Sequence, residues 1–356
     1  MKLWKKLVII AVALIIVITA GMMTMGIMVY ESYFGIRYET YEPLAYHVED
    51  FDGLMRAEYS FTSDKGQNLA GYLYHTGEGS PEALMVFAHG FGGGGHNSYM
   101  DIINYFAQNG YYVFTYDATG NDASEGDAVG GLPQGAVDLE YALDFVKNRE
   151  EFFHLPIVLM GHSWGGYSVT NVLNHHPDVK AVASLAGFDT SIDLIKAQGE
   201  TIVGKGVMDV MLPFMNFYEG MKFGAYAKST AMEGFAGSEA AVMVVHSDDD
   251  DTVPKQYGYD IWYEAYGNDP RFTFVQLTGL GHNGFLSNED RRIYTEEFNA
   301  EFDKWYEALP EDISEEEFAE LKIEYINENL DRERWNNSVN TELFDQILAF
   351  FEANLD

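Results

Sequence analysis

Cysteine is absent from the 356-residue chain. Its absence excludes disulfides, thiolate nucleophiles and Cys-ligated zinc or iron–sulfur sites, and leaves the compartment open. Positive charge is scarce: 21 Lys and Arg stand against 56 Asp and Glu, a formal charge of −35. A field of that sign repels polyphosphates and anionic headgroups, so nucleic acid is not an expected partner. No grouping of histidines and carboxylates points to a metal, and no cofactor is expected. There is no internal repeat and no low-complexity linker. Hydrophobic residues make up 47% of the chain and aromatics 15%, enough for a packed core in one large α/β domain or two smaller ones.

Charge is also missing from one long run near the amino terminus. Lys2, Lys5 and Lys6 precede an uncharged apolar stretch from Leu7 to Tyr30. As a helix that stretch reaches about 36 Å, enough to cross a hydrocarbon core of about 30 Å with some tilt. A cleaved signal sequence has the same polarity but a shorter apolar region and a small-x-small site, and Ile18–Ala20 fits such a site poorly. The expectation is therefore an uncleaved anchor over residues 1–30, with a secreted form as the alternative. Lysines before the span and acidic residues after it place the following domain outside the cytoplasm. Residues 31–56 read as a Tyr- and Glu-rich connector, and residues 57–356 as the folded domain.

Within that domain, AEYSFTS and NLAGYLYHT alternate around Asp64-Lys65-Gly66, which predicts a β-hairpin. ALMVFAHG, YYVFTYD, IVLMG, VKAVASLAG, AAVMVVHS and FTFVQL are continuous apolar runs of strand length. Helical stretches fall between them, around Tyr99–Asn109, Gln134–Asn148 and Tyr167–Asn174. Buried strands alternating with helices predict a mostly parallel sheet covered on both faces, with an antiparallel start. Two segments break the rhythm. Phe188 to Glu239 is too long for a simple crossover and carries Met208, Met211, Met215, Met221 and Met232. It reads as a helical insertion over the sheet's ligand edge, either a lid with an adaptable face or an ordinary helical layer. Ser287 to Asn340 is acidic with helical spacing, which predicts a solvated helical layer, with a partner-binding element as the alternative.

Chemistry enters with VLMGHSWGGYSV, Val158 to Val169. An apolar strand runs into Gly161-His162-Ser163-Trp164-Gly165 and then into a helical stretch. A serine at that turn serves equally as a helix N-cap or as a nucleophile. In a strand–Gly-x-Ser-x-Gly–helix turn the hydroxyl stands exposed above the sheet, and the glycines at 161 and 165 avoid clashes. HGFGGGG at 89–95 follows the third predicted strand. It lacks the Gly-Lys-Ser/Thr ending of a phosphate-cradling loop.

At these residues the chain resembles the α/β-hydrolase family, in particular its serine aminopeptidase- and esterase-like members. HGFGGGG resembles the family's oxyanion loop. DATGNDASEG (117–126) is similar to its Asp-x-x-Gly-x-x-x-Ser-x-Gly segment, with Thr119 where an arginine is frequent. HSDDDDTVP (246–254) resembles its acid loop and GLGHNGF (279–285) its histidine loop. The resemblance spans about residues 57–286 and resumes in the last helix.

It implies Ser163 as nucleophile, His282 as base and Asp250 as acid, in the chain order of this fold. Family spacing selects Asp250 from the aspartate run, with Asp249 as runner-up. The backbone amides of Phe91 and Trp164 are the implied oxyanion donors. The remaining histidines read as structural, His89 and His162 as supports of the two loops. The expected function is a membrane-anchored serine hydrolase cleaving a carboxylic ester of a small acyl substrate through an acyl-enzyme. The alternatives are a peptidase or amidase of serine aminopeptidase type and an inactive surface binding protein.

Overall fold

Every predicted strand forms, and the alternation of side chains along each shows why both faces need a cover. The computed structural model describes residues 3–77, 79–310 and 312–355. Eight strands make one sheet: β1 (Met55–Thr62), β2 (Asn68–His75), β3 (Leu84–Ala88), β4 (Tyr112–Tyr116), β5 (Ile157–His162), β6 (Ala181–Leu185), β7 (Ala241–Ser247) and β8 (Phe272–Leu277). The order is β1-β2-β4-β3-β5-β6-β7-β8. β1 and β2 form the antiparallel hairpin, β2 pairs antiparallel with β4, and all later pairings are parallel.

In β3, Leu84, Val86 and Ala88 enter one hydrophobic core, whereas Met85 and Phe87 enter the other. The twelve helices of the described residues begin with α1 (Leu3–Phe34), α2 (Met100–Gln108), α3 (Pro133–Lys147), α4 (Trp164–Asn171), α5 (Ser191–Val203) and α6 (Lys205–Phe223). They continue with α7 (Ala231–Gly237), α8 (Tyr259–Tyr266), α9 (Glu289–Glu307), α10 (Glu315–Asn329), α11 (Arg332–Asn336) and α12 (Thr341–Glu352). Residues of α2 and α12 pack on the Met85 face, and residues of α3, α4, α7 and α8 on the Leu84 face.

The Met-rich insertion divides in two. α7 returns to the scaffold, where Phe235 is buried edge-on against Trp262. α5 and α6 instead stand over the carboxyl ends of the strands, with Met208, Met211 and Met215 buried beneath them and Met221 exposed. The acidic segment forms α9, α10 and α11, whose outer faces are solvated. It also clasps the connector: Arg332 donates to the carbonyls of Pro43 (2.5 Å) and Ala45 (3.1 Å), and Trp335 Nε1 donates to that of Leu44 (3.1 Å).

α1 is long and apolar enough to cross a membrane, as an anchor or as a signal sequence. It ends at Phe34, four residues past the expected limit, and its last turns are packed rather than free. Residues 3–21 are exposed throughout, whereas Gly26, Tyr30 and Phe34 are buried. The cause is α6. At Gly26 the helices come so close that an added Cβ would lie 3.4 Å from that of Phe214. Tyr30 donates to Glu219 Oε1 (2.9 Å), while Ser191 donates to Glu219 Oε2 (2.6 Å). Tyr218 and Lys222 both donate to Glu31 Oε1 (2.7 Å each).

Burial raises the Glu219 carboxyl from its ordinary 4.5 to about 7, only partly offset by the Ser191 and Tyr30 hydroxyls. The sign follows. The folded state holds this proton more tightly than the unfolded chain, so the stabilisation is fully present below about pH 4.5 and is lost as pH rises through about 7. The size is at most about 3 kcal/mol. Melting temperatures taken from pH 5 to 8 should fall for the native chain relative to Glu219→Gln, which lacks this ionisation. Parallel profiles would refute the assignment.

Candidate active site

The sheet's parallel strands deliver four loops to one edge, the usual ligand side of an open α/β sheet. β5 ends at His162, and Ser163 follows with φ 57° and ψ −114°, a left-handed backbone that a non-glycine residue rarely adopts. Such strain persists only where the surroundings hold it. Here α4 starts at once, with Tyr167 N donating to Ser163 O (2.9 Å), and Ser163 N donates to Leu185 O (2.7 Å). Gly161 and Gly165 let the turn close. A Cβ on Gly165 would collide with the carbonyl of Ala88, and one on Gly161 with the backbone of Gly165. Ser163 stands at the N-cap position of α4, but its side chain makes no cap bond to the helix.

Asp250 is buried at the end of the β7 loop. Its Oδ1 accepts from the amides of Thr252 (2.9 Å) and Val253 (2.8 Å), and its Oδ2 faces His282 Nδ1 at 2.7 Å. Burial pushes this carboxyl up, but bonds from His246 and His282 more than compensate and hold it well below the usual carboxylate range. Nδ1 of His282 therefore donates to a carboxylate, leaving Nε2 as the basic nitrogen. Asp249 is exposed and accepts from Ser247 Oγ (2.5 Å) and Gly281 N (2.9 Å) instead. Asp248 accepts from Thr278 and Gly279. Asp248 and Asp249 thus tie the acid loop to the loop that carries His282.

Ser163, His282, Phe91 and Trp164 line one cavity of about 720 Å³, within the range of small-molecule sites. Its walls come from the glycine-rich loop, from α5 and α6, and from Val29, Tyr33 and Phe34 of α1. No Asp, Glu, Lys or Arg is among the described residues that line it. Trp164 does two jobs: it lines the cavity, and its Nε1 donates to Leu132 O (2.7 Å). As the first residue of α4 its amide has no intrahelical acceptor.

The glycine run also serves the scaffold. Side chains at Gly94 and Gly95 would strike Thr40 and Asp117, respectively. His89 Nε2 accepts from Ala118 N (3.0 Å), and its Nδ1 lies 2.8 Å from Gly90 O. Burial pushes its pKa down.

Three loops meet at residues whose joint role the sequence did not announce. Tyr99 Oη accepts from Gly90 N (3.2 Å) and donates to His162 Nδ1 (3.0 Å), and His162 Nε2 donates to His282 O (3.0 Å). Burial first, then the neighbouring His282, lowers the His162 pKa to about 3, so this ring is neutral and keeps one donor and one acceptor. Oxyanion loop, serine turn and histidine loop are thereby joined in one chain of hydrogen bonds. Tyr99→Phe cuts that chain without emptying the space. It should lower kcat about tenfold, since small misplacements of reacting groups are costly, with little change in melting temperature. An unchanged kcat would show that the link is structural only.

Loop 117–126 is held from outside itself. In place of an arginine at Thr119, Arg37 from the connector donates to the carbonyls of Asp122 (2.7 Å), Ser124 (3.0 Å) and Gly126 (2.6 Å). Thr119 instead donates, through N (2.8 Å) and Oγ1 (2.9 Å), to buried Asp138. No local signal could have linked residue 37 to a loop more than eighty residues away.

Residues 79–215 match the family described as serine aminopeptidase, S33. The uncharacterized protein YfhR of Salmonella typhi is 28% identical over 120 residues, 33% of this chain and 40% of that protein. Its counterpart in Salmonella typhimurium matches equally. The chain thus aligns with less than half the length of these curated relatives. Among solved structures, an esterase of Pyrococcus furiosus superposes with a TM-score of 0.53 at 13% identity, covering 74% of this chain and 95% of that one. An acetyl xylan esterase from Paenibacillus sp. R4 gives 0.52 at 19% identity, covering 70% and 84%. At such identities the likeness concerns the fold. Sheet order, the strained serine turn and these superpositions agree on the α/β-hydrolase fold, and within it residues 79–215 are similar to a family of serine-type hydrolases.

Proposed function

We propose that the protein hydrolyses carboxylic esters with an apolar acyl group, using Ser163, His282 and Asp250. The observation that carries this reading is the strained Ser163 opening onto the same cavity as a histidine held by a buried carboxylate. Ser163 Oγ attacks the acyl carbon while His282 Nε2 takes its proton. The amides of Phe91 and Trp164 receive the oxyanion. Collapse breaks the bond to the leaving oxygen, which takes the proton from His282. Water, deprotonated by His282, then attacks the acyl carbon; the bond to Ser163 Oγ breaks, Oγ takes the proton back from His282, and the acid leaves. Asp250 orients the imidazole and stabilises the imidazolium.

The cavity's lining favours esters over aminopeptidase substrates. An aminopeptidase must hold a free ammonium group, and a cavity without a carboxylate gives that charge no partner. We also read α1 as an uncleaved anchor with the domain outside the cytoplasm. A fluorophosphonate should label the full chain at Ser163, located by peptide mass spectrometry. Aryl esters should turn over while aminoacyl arylamides do not. Labelling elsewhere, or preference for the arylamide, would overturn the reading.

A further inference from the structure

α1 and α6 run parallel. Gly26 meets Phe214, Tyr30 meets Glu219, and Glu31 meets Lys222, so both chains advance in the same direction. Stepping back from Phe214 to Val207 moves about 10 Å toward the free part of α1. The corner between α5 and α6 therefore lies beside the end of residues 3–21, the segment that touches no other part of the protein closely enough to be covered. Its uncharged part, residues 7–21, is about 22 Å long as a helix, short of a hydrocarbon core of about 30 Å, so the core also takes in the next turns of α1 and the corner beside them.

The corner exposes an apolar patch beside one small charged cluster, in which Lys205 is paired with Glu200 and Asp209 and so carries its charge neutralised. Ile202, Val203, Val207 and Val210 are 37–58% exposed. Val207, Val210, Phe217 and Met221 recur at helical spacing along one stripe of α6, all exposed. A stripe of this kind beside a spanning helix marks a membrane-contacting surface. On the other side of the same helix, Met208, Met211 and Met215 line the cavity. Ile202 and Val203 belong to both surfaces, for they line the cavity that holds Ser163. The cavity thus extends from the serine to the corner, with Val29 and Tyr33 of α1 as its other wall. The chain's strong negative charge leaves apolar contact, rather than attraction to headgroups, as what holds the corner in lipid.

We propose that the α5–α6 corner is immersed in the bilayer beside α1, and that the site draws an acyl ester of a membrane lipid directly from the leaflet. The substrate half of this rests on the ester-hydrolase reading above; the docking half does not. An acyl chain entering between α1 and the corner passes from lipid to an apolar cavity without crossing water.

The absence of cysteine makes the docking test direct. Full-length protein is placed one copy per disc in phosphatidylcholine nanodiscs, with a nitroxide on Val207→Cys, Val210→Cys or, as a control on exposed α10, Glu320→Cys. Oxygen should relax the first two labels more than a water-soluble nickel chelate does, and the control should show the reverse. Equal nickel access at all three sites overturns the proposal, including the case in which a second copy normally covers the corner. The route is tested with Val207→Asp/Val210→Asp, both on the exposed stripe. Hydrolysis of 4-methylumbelliferyl oleate held in the disc should fall at least tenfold, while p-nitrophenyl acetate turnover and fluorophosphonate labelling stay within twofold. Equal loss on both esters, or no loss on either, overturns the lipid route. A native chain that shows neither labelling nor acetate turnover defeats the hydrolase reading instead, and the nitroxides then decide the docking half alone.

Discussion

Ser163→Ala should lower ester hydrolysis by about 10⁴-fold or more and abolish fluorophosphonate labelling, since losing the nucleophile of such a unit costs about as much as losing the whole unit. The substitution removes one oxygen from a side chain that makes no cap bond, so the fold has little to lose. Alanine must still occupy a positive φ of 57°, but the native serine already bears that strain, and melting temperature should change little. A hydrolysis rate that survives the change with a normal fold would mean that the acyl group is carried elsewhere. The amides of Phe91 and Trp164, the proposed oxyanion donors, belong to the backbone and persist in the variant. A residual rate above the uncatalysed reaction is therefore expected.

Asp250→Asn should have the next largest effect, a fall in kcat of about 10⁴-fold. The carboxylate is buried, accepts two amides through Oδ1 and receives His282 Nδ1–H through Oδ2. An asparagine keeps the size, but its amide nitrogen in the Oδ2 position would meet Nδ1–H donor to donor. The imidazole then turns or changes tautomer and no longer presents a basic Nε2 to Ser163. Asp249→Asn, by contrast, should reduce kcat only modestly, because Asp249 touches the histidine loop through Gly281 and not the ring. Comparable losses in the two variants would remove the reason for choosing Asp250. Stability adds a second readout. Asp250 is held ionised below its ordinary range in the folded state. Its contribution is thus fully present above about pH 4, and is lost as pH falls through the lowered folded value. The variant should lack that acid-side loss.

Much of the scaffold was legible because its signals are local. Five- to eight-residue apolar runs bounded by turn residues have strand length and fall short of an ordinary buried helix, and each became a strand. The serine turn was legible because Gly161 and Gly165 are demanded by contacts within a few residues of Ser163 or with the adjacent strand end. The aspartate run was legible only through its resemblance to a known loop. Four adjacent carboxylates look alike in sequence, and the separation of Asp250 from Asp249 appears when amides at 252 and 253 close around one of them.

Other features had no local signal at all. Tyr99 reads as the start of an amphipathic helix, yet its hydroxyl joins Gly90 to His162. Arg37 reads as connector, yet it binds three carbonyls of loop 117–126. Glu219 lies in the helical insertion with no sequence feature to single it out, yet it is fully buried between Tyr30 and Ser191.

By itself the sequence determined the alternation of strands and helices, the strained serine turn and the apolar character of residues 7–30. All of these follow from periodicity, glycine placement and the cost of exposing hydrocarbon, which act over short stretches of chain. Only the tertiary structure decided that the final turns of that apolar helix are a wall of the cavity rather than part of a free span. That outcome depends on α6 lying parallel to α1, close enough for Gly26 to sit against Phe214, and a contact between residues nearly two hundred positions apart leaves no periodic trace in either segment.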